Sequence, residues 1–179
     1  MDLEQEVKII GADLEKIETY IKNNGGIYLG EENQVNILIN SKSHPIKSDL
    51  GYFRIRITHF VERNEDKIEL TFKERVKDDV LRKSKEHTVV IDKLSPMIET
   101  LRLLGYDNFE ETKKNRKSYT FRDARFDFDT HEKSVLPYPY LEIEVKDKNK
   151  LDALLKELDI KDEYVSTLSI KELIEKVKD

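Results

Sequence analysis

Carboxylates and long cations recur at alternate positions in several short stretches of this chain. Glu4, Glu6 and Lys8 form one such row, Arg54 and Arg56 a second, and Glu69, Thr71 and Lys73 a third. Lys114 and Arg116, Asp127 and Asp129, and Glu142, Glu144 and Lys146 repeat the spacing. Residues two apart on a β-strand share a face. The opposite face is apolar nearly throughout: Leu3, Val7 and Ile9; Phe53, Ile55 and Ile57; Ile68, Leu70 and Phe72; Phe126 and Phe128; Leu141, Ile143 and Val145. Rows of carboxylates attract hard cations such as Mg²⁺ or Mn²⁺. Rows of arginine and lysine grip phosphate oxygens. A polyanion bridged by metal ions satisfies both sets at once.

The plainer alternative is an antiparallel sheet with one solvated face. Two features weigh against it. The polar faces are carboxylates and long cations rather than the usual mixture of Thr, Ser and Gln, and the helices need an apolar surface that only the other face of the sheet offers. A sheet that curls to remove its open edges puts the helices outside and the charges inside. The lumen then holds Lys8, Arg54, Arg56, Lys73, Lys114 and Arg116 against Glu4, Glu6, Asp129, Glu142 and Glu144, with Glu69, Glu86 and Asp127 as further candidates. Enclosed charges of this kind are costly unless paired or liganded.

The elements that must position these rows are read from hydrophobic period and turn residues. Strands are expected at about 2–10, 26–31, 34–40, 51–60, 66–76, 82–91, 108–121, 124–130 and 140–147. Asn64-Glu65-Asp66 and Arg122-Asp123 join two pairs of them as hairpins. Asp13 caps a helix that presents Leu14, Ile17 and Ile21 and ends near Gly25-Gly26. Ser95-Pro96 opens another, with Met97, Ile98, Leu101 and Leu104 inward and Gly105 as its stop. Leu151, Leu154, Leu155 and Leu158 make a further apolar stripe, and Leu173, Ile174 and Val177 a last one. Residues 40–51, with Pro45 and three serines, are a loop.

Composition narrows the function classes. The 179 residues form one domain, 1–179, in the most economical reading. A charged fraction of 39% with a net charge of -5 lacks the basic excess of a nucleic-acid binder. The absence of cysteine excludes disulfides, thiolate metal sites and a Cys nucleophile. The acidic start, Met1 to Glu6, lacks the apolar core of a secretory signal, and no apolar run spans a bilayer. The expected compartment is the cytoplasm, without membrane or nucleic-acid partners. His44, His59, His87 and His131 show no ligand spacing and read as loop or surface residues. Tyr119 reads as packing or hydrogen-bond support.

Taken in order, these stretches resemble the CYTH, or triphosphate tunnel metalloenzyme, superfamily, which includes class IV adenylyl cyclases, thiamine triphosphatases and inorganic tripolyphosphatases. Glu4-Gln5-Glu6-Val7-Lys8 matches its ExExK signature near the N-terminus. Arg54-Ile55-Arg56 is similar to its RxR strand, and Glu69-Leu70-Thr71-Phe72-Lys73 to the strand ending in a substrate-binding lysine. Leu104-Gly105-Tyr106 followed by Lys114 to Tyr119 resembles its helix and KxRxxY strand. Phe128-Asp129 and Leu141 to Glu144 resemble its late acidic strands, and residues 169–174 its closing helix.

The resemblance implies an α+β fold: an eight-stranded antiparallel β-barrel, or tunnel, with a charged lumen and helices packed outside. It implies Glu4, Glu6, Asp129, Glu142 and Glu144 as the metal set for Mg²⁺ or Mn²⁺. Lys8, Arg54, Arg56, Lys73, Lys114 and Arg116 would hold the triphosphate, and Glu4, Glu6 and Lys8 would be catalytic. Glu86 would stand where relatives carry an acid on the sixth strand. The implied activity is metal-dependent hydrolysis of a triphosphate-bearing small molecule, either inorganic tripolyphosphate or a nucleoside triphosphate. Conversion of ATP to cyclic AMP and pyrophosphate is the alternative, and binding without catalysis a further one. The protein would be a monomer or homodimer. Asparagines at 33, 36 and 40, a single glutamate in Ser84 to Thr88, and prolines 137 and 139 in place of a glycine turn depart from the family pattern.

Overall fold

Hydrophobic alternation and turn residues fold the chain into strands interrupted by short helices. The order is β1 (Leu3–Ile10), α1 (Leu14–Asn23), β2 (Ile27–Asn40), β3 (Gly51–Phe60), β4 (Glu65–Val76), β5 (Arg82–Val90), α2 (Leu94–Leu103), β6 (Asn108–Phe121), β7 (Ala124–His131), β8 (Tyr140–Val145), α3 (Asn149–Glu157), β9 (Val165–Ser166) and α4 (Ile170–Lys178). The computed structural model describes residues 3–76, 82–147 and 149–178. The side chains of Glu4, expected in the site, and Val177, expected in the last apolar stripe, lie outside the described part.

Antiparallel pairing closes the sheet in the order β5-β4-β3-β2-β6-β7-β8-β1, with β1 returning to β5. One edge of β1 pairs β8. The other is divided: residues 3–6 pair β5, and residues 8–9 pair the short β9. Among the described residues no long edge is left open, which is how a barrel resolves the exposed-edge problem. The eight-stranded antiparallel tunnel with helices outside is therefore the observed fold.

Outward-facing apolar residues make the cores under the helices. Val7, Ile9, Tyr119, Phe121, Phe126, Leu141, Ile143 and Val145 pack against Ile17 and Ile21 of α1 and Leu151, Leu154 and Leu155 of α3. Ile37, Ile39 and Ile55 pack against Leu101 of α2. At one end of the barrel Leu173 of α4 packs on Leu136 and on Tyr140, which lies on the lumen face of β8. Asp13 caps α1 as expected, its Oδ1 accepting from Lys16 N at 3.0 Å. Arg122 and Asp123 both take positive φ, 51° and 61°, as a tight two-residue hairpin turn demands.

Some boundaries depart from expectation. The strands expected at 26–31 and 34–40 are one continuous β2. Its register shifts between Tyr28 and Gly30, where Gly30 adopts a φ of 135°. The expected break at residues 32–33 is bridged by regular pairing, Glu32 opposite Arg116 and Asn33 opposite Asn115, and the bulge at Gly30 lies within the first expected strand. Helix α2 begins at Leu94 with Lys93 as its N-cap, so Ser95 and Pro96 lie in the first turn and no side chain caps it. Leu104 is its C-cap residue and is 64% exposed rather than inward, because the helix ends before its turn comes round to the sheet.

Candidate functional site

Alternation along each strand decides which side chains enter the tunnel. Because Val7 and Ile9 face the helices, Glu6 and Lys8 face the lumen. By the same reasoning β2 contributes Gln34 and Asn36, β3 Arg54 and Arg56, β4 Lys73, β6 Lys114 and Arg116, β7 Asp127 and Asp129, and β8 Glu142 and Glu144. Most of these polar groups are deeply enclosed, Lys8 at 2% exposed and Asp129 at 0%, while Arg56, Glu142 and Glu144 are half-buried. The predicted site residues whose side chains are described lie on this face; Glu69, opposite Arg56 in register, is paired with half-exposed Lys67 at 2.7 Å.

Inside, the charges neutralise one another in linked groups. Lys8 Nζ lies 2.9 Å from Glu6 Oε1 and 3.1 Å from Glu142 Oε1. Arg116 spreads its guanidinium across three carboxylates. Nε donates to Asp129 Oδ1 at 2.6 Å, Nη1 to Asp127 Oδ2 at 2.6 Å, and Nη2 to Asp129 Oδ2 at 2.6 Å and Glu142 Oε2 at 2.5 Å. Asp129 Oδ2 also accepts from Lys114 Nζ at 2.7 Å and Tyr140 OH at 3.0 Å. Ser118 Oγ and Arg125 Nε complete Asp127 at 2.7 and 2.8 Å. Across the tunnel, Glu86 Oε1 takes Arg54 Nη2 and Lys73 Nζ, each at 3.3 Å. Glu144 lies opposite Glu6 in the β1–β8 register and is half-buried.

Arg56 stands between these groups and differs from them. Its Nε donates to Asn36 Oδ1 at 2.9 Å, and among the described residues it forms no ion pair. Burial, and then the nearby Arg54 and Arg116, draw its pKa down to about 10. Lys114 is drawn down to about 8 by burial and by Arg116, despite its contact with Asp129. Arg56 and Lys114 are thus the two cations of this wall whose charge their surroundings disfavour, chiefly through burial. The carboxylates stay ionised. Burial opposes the charge on Glu142, but Lys8, Arg116 and Lys114 hold it well below the usual range. Burial likewise opposes Glu6, which Lys8 and Lys73 hold low.

Hard carboxylate oxygens suit Mg²⁺ or Mn²⁺. Among the described residues no three carboxylates or imidazoles are gathered as a ready metal cage. Lys8 supplies the reason, since its ammonium occupies the space between Glu6 and Glu142 that a metal ion would fill. The donor set fits a divalent cation provided Nζ swings aside. Asp129 fits less well, because both its oxygens are already taken by Arg116, Lys114 and Tyr140.

Several lumen residues escaped sequence reasoning. His131 is not a surface residue. It is 8% exposed, its ring stacks on Tyr140, and burial and Lys114 push its pKa down to about 4. Tyr52 lies beside Arg54, its oxygen 3.4 Å from Nη1, and burial of the phenol is outweighed by Arg54 and Lys73, so its pKa is lowered. Each extends a recognised row by one step of two residues: Tyr52 before Arg54, His131 after Asp129, Tyr140 before Glu142. The other histidines are partly or fully exposed, with His59 on Asp66 and His87 on Glu74. Tyr119 faces outward, its hydroxyl on Glu18 at 2.7 Å.

A closed antiparallel tunnel walled by opposed carboxylates and cations defines a class of protein that envelops a small polyanion. The chain belongs to the CYTH domain family, whose model matches residues 2–169. Members of that family are triphosphatases or cyclases that bind triphosphate substrates, in general with divalent metals. Among solved structures, the chain is similar to the PH1819 protein from Pyrococcus horikoshii OT3, with a TM-score of 0.78 and 22% identity over 97% of this chain and 99% of that one. It is similar to the PH1012 protein of the same organism at a TM-score of 0.74 and 23% identity, covering 95% and 98%. HpAC1 from Hippeastrum, described as having a dominant triphosphatase activity, aligns at a TM-score of 0.68 and 18% identity, covering 99% and 96%. These likenesses establish the shared fold. No curated protein matches the chain significantly. Among the described residues, no helix is long and apolar enough to cross a membrane.

Proposed function

We propose that this protein hydrolyses a triphosphate-bearing small molecule inside the tunnel with Mg²⁺ or Mn²⁺. The observation that carries the reading is Arg56, a half-buried guanidinium with no carboxylate partner among the described residues, near a Lys114 whose charge is already disfavoured. Such a wall calls for a multivalent anion.

Arg54, Arg56, Lys73, Lys114 and Arg116 grip the phosphate chain and stabilise the charge that develops on its oxygens during transfer. Glu6 and Glu142 would hold the metal ion, with Glu144 opposite Glu6 in register and Glu4 two residues before it in the sequence, and Lys8 would pair with the phosphates instead of the carboxylates. A bound divalent ion supplies Lewis-acid charge and a water of lowered pKa. Glu4 or Glu6 orients the attacking water and accepts its proton. Asp129 acts as the counter-ion that orients Lys114 and Arg116.

The test is a product assay with Mg²⁺ or Mn²⁺ on tripolyphosphate, ATP and thiamine triphosphate, resolving orthophosphate, pyrophosphate and cyclic AMP. Orthophosphate release that falls at least tenfold in Arg56→Gln and Glu144→Ala is expected. Pyrophosphate with cyclic AMP would make the protein a cyclase. Tight binding without any product would make it a sensor.

A further inference from the structure

One hydroxyl in the lumen has a proton to give and no acceptor to receive it. Tyr52 precedes Arg54 and Arg56 on β3 by the same step of two, so it faces the lumen. It stands opposite Lys73 of β4, which stands opposite Glu86 of β5. The Tyr52 oxygen accepts from Arg54 Nη1 at 3.4 Å. Its own proton is left over: Glu86, the carboxylate of that row, gives Oε1 to Arg54 and Lys73, and among the described residues the phenol donates to none. Arg54 has the complementary need. It is 8% exposed, and its Nε is buried with no partner among the described residues. A buried N–H of this kind calls for an acceptor. An oxygen of the phosphate chain meets it on the same guanidinium that touches Tyr52.

We propose that Tyr52 is a further catalytic residue, the general acid that protonates the departing phosphate oxygen. This rests on the triphosphatase reading above. In the step, a water oxygen bonds to phosphorus while the bridging P–O bond breaks. The water's proton goes to Glu4 or Glu6, and the Tyr52 proton goes to the bridging oxygen as it leaves. The surroundings suit a phenol to this part. Arg54 and Arg56 of β3 and Lys73 of β4 face it, with Glu6 of β1 opposing them. On the β2 side Leu38 is apolar, and Glu110 of β6, next in that row, is exposed. Burial disfavours the phenolate, but Arg54, Lys73 and Arg56 outweigh it, so Tyr52 is a stronger acid than a free tyrosine. An arginine cannot take the part, because a guanidinium does not give up its proton. Tyr52 is half-buried, so solvent restores its proton once product has gone.

Steady-state kinetics with Mn²⁺ on tripolyphosphate and ATP test this in wild type, Tyr52→Phe and Tyr52→3-fluorotyrosine, which keeps the shape and makes the phenol more acidic. Tyr52→Phe should lower kcat about a hundredfold, within the usual weight of general acid catalysis, and leave KM within about threefold. At saturating substrate, wild-type kcat should fall at alkaline pH as the phenol ionises, and the fluorinated protein should show that fall at lower pH. Three results overturn the inference and leave the triphosphatase reading standing: a kcat for Tyr52→Phe within about threefold of wild type, a loss confined to KM, or an alkaline fall that fluorination does not move. If wild type releases orthophosphate from neither substrate, that reading falls and this inference with it. Where Tyr52→Phe does not fold, the fluorinated protein decides.

Discussion

Replacing Lys8 with methionine removes the internal counter-ion of two buried carboxylates while keeping most of the stem's bulk. Nζ lies 2.9 Å from Glu6 and 3.1 Å from Glu142, and only 3% of the side chain is exposed. At an effective dielectric constant of about 20, each contact is a gross attraction of roughly 5 kcal/mol. Desolvation consumes much of that, and removing one partner of a buried pair costs about 3–5 kcal/mol. In a chain of this size each 1 kcal/mol moves Tm by about 2–4 °C. Lys8→Met should therefore melt about 6–20 °C below wild type in EDTA. Mn²⁺ should recover much of the loss, because a divalent ion neutralises the same oxygens without having to displace an ammonium group. Differential scanning calorimetry in EDTA and in excess Mn²⁺ provides the measurement. If the two proteins melt together in EDTA, or gain equally from Mn²⁺, Lys8 is not the cation that holds the empty carboxylates and the reasoning fails.

Two further outcomes are expected. Lys114, with its pKa near 8, is charged below that pH and neutral above it. Since a polyanion favours the charged form, tripolyphosphate affinity should fall as pH rises through about 8, with proton uptake on binding there. Calorimetry in buffers of different ionisation enthalpy should show both effects, and Lys114→Met should flatten the step. At the start of α4, Ser169 and Glu172 cap each other, with Glu172 N on Ser169 Oγ at 3.1 Å and Ser169 N on Glu172 Oε2 at 2.6 Å. Ser169→Ala should cost about 1 kcal/mol, or about 2–4 °C in Tm, and leave the Mn²⁺ response unchanged, because neither capping residue belongs to the proposed metal set.

Much of the site was legible because period two is a rigid rule. Once Ile55 is known to face the helices, Arg54 and Arg56 have nowhere to point but inward, and the same holds for Lys8 between Val7 and Ile9. Strand pairing was less legible. That Lys8 bridges Glu6 and Glu142, or that Arg116 holds Asp127, Asp129 and Glu142 together, depends on the register of β1, β6, β7 and β8, which no single strand encodes. His131 and Gln34 carry residue types common on surfaces, and only closure of the barrel makes them interior. Glu32 and Asn33 looked like a break because two polar residues in succession interrupt the apolar alternation, whereas pairing to β3 and β6 on either side keeps β2 continuous. Leu104 looked inward because helical period does not announce where a helix stops.

The divided edge of β1 bears on how the protein assembles. This first strand can meet β8 only after residues 140–145 exist, and it meets β9 only after residues 165–166. Contacts this distant along the chain form late and slowly. Until they form, the acidic and basic rows lie on an open, hydrated sheet, where their charge is inexpensive. Dehydration of the ions is thus deferred to the last docking step, when Lys8 arrives beside Glu142 already carrying the opposite sign. A chain released before β8 emerges from the ribosome would have its outer cores half built and no lumen at all.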